Sequence, residues 1–388
     1  MSRIMFFCIP AHGHTNPTLL VVAELVRRGH QVRYYSFYEF EEKITATGAQ
    51  FIACDDYLPP VSQKEMQKLM KVSITEMTVT DFETTARIDP MLARDVRDFQ
   101  PDCIVADSVC FWGKLTARKY NLPFVCSTTT FAFNQYSSRY MKNSPRELLD
   151  LILGMPRVNR ALRRLRPLGY NVKSALSITQ NDNDTNTIVY TSKQFQPCAD
   201  TFSERYAFIG PAVRDTPVRR TPGQKPLVYI SLGTVINNRP DFYKSCIAAL
   251  ETMEVEVLIS CGKYMDPAKL GNLPSGVTAC PYVDQMEVLS RANVFITHCG
   301  MNSVSESLYM GVPMVLAPQT GEEFAVARRT EEVGAGKMLS GGSPDKIRAA
   351  VSSVLGEPRY AEAAARMRAD FLSCSGAAGG ADFIESVI

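Results

Sequence analysis

The chain carries almost no net charge: 42 Lys and Arg stand against 40 Asp and Glu, a balance of +2 over 388 residues. A field that weak does not by itself gather nucleic acid or an anionic membrane surface. No stretch approaches the roughly 18 consecutive apolar residues of a membrane span. The first apolar run, Ile4 to Ile9, is too short for a signal-peptide core and stops at Pro10. None of the eleven cysteines forms a C-x-x-C pair, so a zinc ribbon or thioredoxin-type site is excluded. An odd number, scattered through apolar runs (Cys8, Cys103, Cys126, Cys261), suits free thiols packed as small hydrophobes in a reducing cytosol. Three catalytic signatures are also missing. There is no G-x-G-x-x-G after a strand and no G-x-x-x-x-G-K-[ST], which weighs against dinucleotide dehydrogenases and P-loop enzymes, and no G-x-S-x-G elbow of an α/β-hydrolase.

What is present is ordinary globular material, 45% hydrophobic and 21% charged, expected to be soluble and cytoplasmic. Length at roughly 150 residues per domain predicts two to three domains. Short apolar runs read as buried parallel strands: Ile4–Ile9, Val32–Tyr35, Phe51–Ala53, Cys103–Ala106, Phe124–Ser127 and Ile188–Thr191. Between the first two, Leu19, Val22, Ala23 and Val26 recur at helical spacing, with Asn16 and Pro17 as the expected N-cap and N1 pair and Gly29 as the stop. The segment from Ala212 to Pro226, AVRDTPVRRTPGQKP, has linker composition. Beyond it the alternation restarts at Leu227–Ser231, Val255–Cys261, Val294–Thr297, Pro313–Leu316 and Gly336–Leu339. The fold class expected is α/β, two Rossmann-like doubly wound domains facing across a cleft: residues 1–211, a linker at 212–225, and residues 226–370. The leucine- and arginine-rich segment from Pro145 to Arg166 reads as a helical insertion with a solvated basic face, and membrane contact is not expected.

Three of the four histidines follow strand C-termini, where open α/β sheets bind ligands. His12 and His14 lie in PAHGHTNP, expected as a tight loop between the first strand and helix, and His298 lies in THCGMNSVSE. His30 follows Gly29 at a helix exit and reads as structural. A His-x-His pair points its side chains apart, so no metal site is expected there. In the second turn, Gly300 permits close backbone approach while Asn302 and Ser303 open a helix, an anion site suited to a diphosphate. The run Ser303 to Glu306 also has the form of a capping box. Asp107 ends a strand, as a helix N-cap or as a neighbour of His14 across the sheet. The D-x-D run Asp182-Asn183-Asp184 reads as a solvated turn.

Together these motifs resemble a known family. AHGHTNP and RGH in the first half, with YISLGT and THCGMNSVSESLYMGVP in the second, are similar to the nucleotide-sugar glycosyltransferases of family 1, of the bacterial macrolide- and flavonoid-glycosylating type. The likeness runs in order through essentially the whole chain, including the step Ile209–Pro211 before the linker. It implies the GT-B fold, with an N-terminal acceptor domain, a C-terminal nucleotide-sugar domain, and a last helix within 371–388 crossing back. By the same resemblance His14 is the catalytic base and Asp107 its partner, while His12 is a loop neighbour. Tyr282 matches the aromatic that stacks on the nucleobase, with Val283 and Gln285 beside it. His298, Gly300, Asn302 and Ser303 match the diphosphate site, Glu306 the ribose-hydroxyl acceptor, and Ser231 and Thr234 the loop approaching the phosphates. Glu322 and Glu323 of PQTGEEF occupy the sugar-contacting positions where the family has Asp or Glu followed by Gln. An ionised Glu323 could not donate as that amide does.

The resemblance implies inverting transfer of a sugar, with glucose as the expectation, from a UDP-sugar to a hydroxyl of a small, largely apolar acceptor such as a polyketide, macrolide or phenolic. No permanently bound cofactor, metal or nucleic-acid partner is expected; the oligomeric state is open. Two other activities fit the same architecture: a sugar-nucleotide epimerase, and a non-catalytic module that binds nucleotide sugar or a small molecule. The expected acceptor walls hold His12, Tyr57, Met66, Met77, Phe82, Phe131 and Phe133.

Overall fold

Apolar runs become the interior strands of two parallel sheets, and the amphipathic stretches between them become the covering helices. The structure, a computed structural model, describes residues 1–57, 74–141, 145–172, 174, 184–220, 223–262 and 265–388. The first half runs β1 (Arg3–Phe7), α1 (His12–Arg27), β2 (Gln31–Ser36), α2 (Glu41–Thr45), β3 (Gln50–Ala53), α3 (Ile74–Phe99) and β4 (Cys103–Asp107). It continues with α4 (Phe111–Tyr120), β5 (Phe124–Thr128), α5 (Pro145–Leu165), β6 (Thr187–Val189) and β7 (Tyr206–Phe208). The second half begins with β8 (Leu227–Ser231), α6 (Pro240–Leu250), β9 (Glu256–Ser260), β10 (Val277–Cys280), α7 (Gln285–Arg291), β11 (Val294–Thr297) and α8 (Met301–Tyr309). It ends with β12 (Met314–Leu316), α9 (Gly321–Glu332), β13 (Gly336–Met338), α10 (Pro344–Gly356), α11 (Pro358–Leu372) and α12 (Gly376–Val387).

The strand orders are β3-β2-β1-β4-β5-β6-β7 and β10-β9-β8-β11-β12-β13. In each sheet the order reverses beside the first strand, between β1 and β4 and between β8 and β11. The registers there pair Phe7 with Ala106 and Ser231 with Thr297. A ligand crevice opens at such a reversal, beyond the strand C-termini. His14, Asp107, Ser231 and His298 therefore all fall at switch points.

Two expected features differ. Helix α1 starts at His12 rather than at Pro17, with Ala11 as an N-cap that has no side-chain bond and Pro17 inside the helix. His12 and His14 are therefore first-turn helical residues, not loop residues. Strands β7 and β10 add to those read from the sequence: β7 has only three residues, and β10 is a partly exposed edge whose apolar run is broken by Thr278.

Helix α5 buries Val158, Ala161, Leu162 and Leu165 with Phe82 of α3 and Phe111 of α4. Its outward side leaves Leu149, Ile152 and Leu153 exposed. Among the described residues no helix is long and apolar enough to cross a membrane. The two halves meet through a shared core in which Phe131, Tyr140 and Phe195 pack with Phe371, Ala325 and Val326.

Candidate active site

His14 is the third residue of α1, and its backbone N–H bonds the carbonyl of Ala11 at 3.0 Å. That turn aims its imidazole at the end of β4. Nδ1 lies 2.8 Å from Oδ2 of Asp107 and 3.3 Å from the hydroxyl of Thr129. Asp107 is enclosed, with no side-chain exposure, and its Oδ1 accepts the N–H of Val109 at 3.0 Å. Asp107 does not cap the next helix, which begins at Phe111 with Cys110 as N-cap. A carboxylate at Nδ1 holds a proton there and leaves Nε2 as the basic nitrogen. The His14 side chain keeps 27% exposure, so that nitrogen has a route to the cleft. Burial alone would lower its pKa, but the charge and hydrogen bond of Asp107, helped by Glu322, carry it above the ordinary 6.5.

Thr129 and Asp81 also belong to this corner, and neither carries a motif that would have marked it. Burial, reinforced by the charge of Asp107, pushes the Asp81 carboxyl well above the usual range. His12 is directed elsewhere, with Nε2 3.3 Å from Glu39 and its ring edge-on to Phe40. His30 ties the helix exit down, accepting from the Ser2 N–H at 3.2 Å and pairing with Glu385 at 2.7 Å.

In the second half, the imidazole of His298 is clasped by two glycines. A Cβ at Gly233 would come within 2.5 Å of the ring, and one at Gly300 within 2.6 Å. Gly233 also has φ of +74°, so it serves both close approach and a left-handed turn. Burial pushes His298 down to about 4, against an opposing hydrogen bond to the Ser231 backbone. The ring is thus neutral at pH 7, a hydrogen-bond donor without charge. Gly300 is the N-cap of α8, with Asn302 and Ser303 in the first turn. Their N–H groups face the crevice at the positive end of the helix dipole.

The capping box expected from Ser303 to Glu306 does not form. Glu306 instead accepts from Nε2 of Gln285 at 2.6 Å, and the same amide reaches the Ser303 hydroxyl at 3.3 Å. Burial raises the Glu306 carboxyl to about 7, although the Gln285 bond opposes it. Tyr282 projects with 81% exposure just before α7, next to half-buried Val283. Ser231 is buried at the end of β8 and Thr234 is exposed beyond it.

Glu322 and Glu323 separate in role. Thr320 and Glu323 form the capping box of α9, with Glu323 Oε2 accepting the N–H groups of Gln319 at 2.7 Å and Thr320 at 2.9 Å. Glu322 is exposed and near enough to raise the His14 pKa from the opposite side of the cleft. A direct bond also spans the cleft, from Nδ2 of Asn302 to the carbonyl of Gly13 at 3.0 Å.

The residues expected to line an acceptor pocket are dispersed. Phe82 and Phe131 are buried, Phe82 against Phe111 and Phe131 in the core shared by the halves. They present no surface to an acceptor, because the same apolar character that suggested a wall suits core packing. His12, Tyr57 and Phe133 are half-buried, and Met77 is exposed on α3. Met66 and the Asp182-Asn183 part of the D-x-D run lie outside the described residues. Among the described residues, no three His, Cys, Asp or Glu side chains are grouped as metal ligands.

Comparison with known proteins bears on the family and the fold. Residues 244–378 match the family described as erythromycin biosynthesis protein CIII-like, C-terminal domain. The chain is 32% identical to the NDP-glycosyltransferase YjiC of Bacillus licheniformis, covering 100% of this chain and 98% of that one. It is 31% identical to an uncharacterised UDP-glucosyltransferase, YojK, of Bacillus subtilis, over 99% and 97% of the two chains. The crystal structure of CalG4, the calicheamicin glycosyltransferase, superposes with a TM-score of 0.82 at 29% identity, covering 100% of this chain and 98% of that chain. Identity above 30% along the full length, on a GT-B fold with two sheet switch points facing one cleft, places this chain in the family 1 nucleotide-sugar glycosyltransferases.

Proposed function

We propose that this glycosyltransferase moves glucose from UDP-glucose to a hydroxyl of a small, largely apolar natural product, with inversion at the anomeric carbon. Residues 1–211 take the acceptor, residues 226–370 the nucleotide sugar, and 212–225 link them, with 371–388 returning to the first half. The observation that carries the proposal is the His14–Asp107 pair at 2.8 Å, positioned across the cleft from the N-terminus of α8.

Nε2 of His14 removes the acceptor proton as the acceptor oxygen attacks the anomeric carbon. The bond from that carbon to the diphosphate oxygen breaks, and UDP leaves with the electron pair. General-base assistance of this kind is worth on the order of 10²–10⁴ in rate. Asp107 orients the imidazole and stabilises the imidazolium that forms. Charge growing on the leaving diphosphate meets the His298 N–H, the Ser303 hydroxyl and the backbone N–H groups that open α8, and we assign its stabilisation to these groups. Tyr282 stacks on the base, Gln285 and Glu306 hold the ribose, and Glu322 accepts from sugar hydroxyls. An apolar natural-product acceptor is supported by relatives named for erythromycin biosynthesis and calicheamicin. UDP and glucose are supported by the relative named as a UDP-glucosyltransferase.

The test is His14→Ala assayed with UDP-glucose and a panel of phenolic, polyketide and steroid acceptors. Turnover should fall by about 10²-fold or more while UDP still binds. A variant that retains near-full turnover removes His14 as the base.

A further inference from the structure

Gly13 sits in the first turn of α1, between His12 and His14. In a continuous helix its carbonyl accepts the N–H of the residue four positions on. That residue is Pro17, buried inside the helix and without an N–H. The carbonyl left open by the proline is filled from the other half of the molecule, where Nδ2 of Asn302 donates to it at 3.0 Å. Asn302 is the second residue of α8, at the end of the helix assigned above to the donor diphosphate. A primary amide has two N–H groups, and the Gly13 carbonyl engages one of them.

We propose that Asn302 is a positioning residue that bridges the two substrates' machinery: one N–H on the Gly13 carbonyl, the other on the diphosphate of the bound donor. Pro17 keeps the Gly13 carbonyl available for this bond by removing its helical competitor. Donor binding at α8 thereby fixes the turn that carries His14, and the base comes into register when a nucleotide sugar is in place. The inference rests on the donor and base roles proposed above. It adds a function for Pro17, a residue that touches neither substrate.

A double-mutant cycle tests it. Wild type, Pro17→Ala, Asn302→Ala and the double variant are titrated calorimetrically with UDP, and initial rates are measured with donor and acceptor varied in turn. Asn302→Ala should weaken UDP binding about tenfold, through loss of the phosphate contact and the bridge. Pro17→Ala should weaken it about two- to fivefold, because the backbone N–H that the substitution restores competes for the Gly13 carbonyl. In the Asn302→Ala background the Pro17→Ala effect should vanish. Donor KM should rise in Pro17→Ala while acceptor KM stays put. Should the alanine variant melt early, Pro17→Ser restores the same N–H and serves in its place.

A Pro17 effect that persists without Asn302 is simple packing and overturns the bridge. So does UDP affinity that is unchanged or tighter in Pro17→Ala, the latter meaning that Gly13 and phosphate compete for the amide. Wild-type protein that binds no UDP overturns the donor assignment and the bridge with it. UDP binding without coupling overturns the bridge alone.

Discussion

His14 and His298 are displaced in opposite directions by their surroundings. His14 faces an enclosed carboxylate and lies above 6.5, while His298 sits between glycines with no opposing charge and lies at about 4. The first can cycle between base and cation near neutral pH, and the second stays a neutral donor, the states in which the roles proposed above use them. The acid limb of the rate profile should therefore belong to His14, with kcat/KM rising as pH climbs through a value above 6.5. Asp107→Asn removes the charge that lifts this value, leaving burial to dominate, so the limb should move to lower pH. The plateau should also fall on the order of 10²-fold, because an amide does not stabilise the imidazolium. Profiles from pH 5 to 9 of the two proteins decide it. A limb that stays in place assigns the titration to another group.

At the scale of the element, helix termini determine which of two adjacent carboxylates is available to a ligand. Glu323 is drawn back over the start of α9, where two backbone N–H groups bond it, while Glu322 remains exposed. Glu323→Ala should cost about 1 kcal/mol of stability, the ordinary value of a lost cap, with donor KM nearly unchanged. Glu322→Ala should reverse that pattern, leaving the melting temperature in place and raising donor KM severalfold. Equal donor effects from both would place Glu323 on the sugar after all.

The capping box also shows where sequence signals succeed and where they mislead. The pattern at Ser303–Glu306 has the right letters, yet Gln285, distant in sequence, captures Glu306. The real box has the same spacing at Thr320–Glu323. Likewise, Asn16-Pro17 is a strong local start signal, but the sheet switch point beside β1 brings the chain into helix at His12, and the proline is carried inside. Continuous buried runs such as Leu227–Ser231 and Val294–Thr297 are legible to the residue because nothing tertiary competes with them. Edge and three-residue strands such as β10 and β7 are not. The His14–Asp107 pairing is legible through the family resemblance, because spacing alone does not say which strands are neighbours, and Thr129 and Asp81 become visible only once β4, β5 and α3 are assembled around it.

On the scale of the molecule, the last helix fastens the C-terminal end of the chain to the first half. Gly376 N–H bonds the Ile209 carbonyl at 2.7 Å, and Gly380 lies so close to Val21 and Ile209 that a Cβ would fall 2.9 Å from Val21. Ala381 and Ile384 are fully buried in the core of the first half. Arg28 of that half pairs with Asp382 at 2.6 Å and Glu385 at 2.7 Å. These pairs are mostly at the surface and add little, so the apolar contact carries the stabilisation. A chain ending at Cys374 uncovers Val21 and Ile209 and loses the burial of Ile384 and its neighbours, about 3–5 kcal/mol. Its unfolding midpoint should drop by roughly 5 °C. The contacts that hold α12 are with Val21, Ile209 and Arg28 of the first half, so UDP affinity measured well below that midpoint should stay within about twofold of the full chain. A midpoint that does not move would mean α12 rests on the first half without stabilising it. A large loss of UDP affinity would mean it sets the relative position of the two halves.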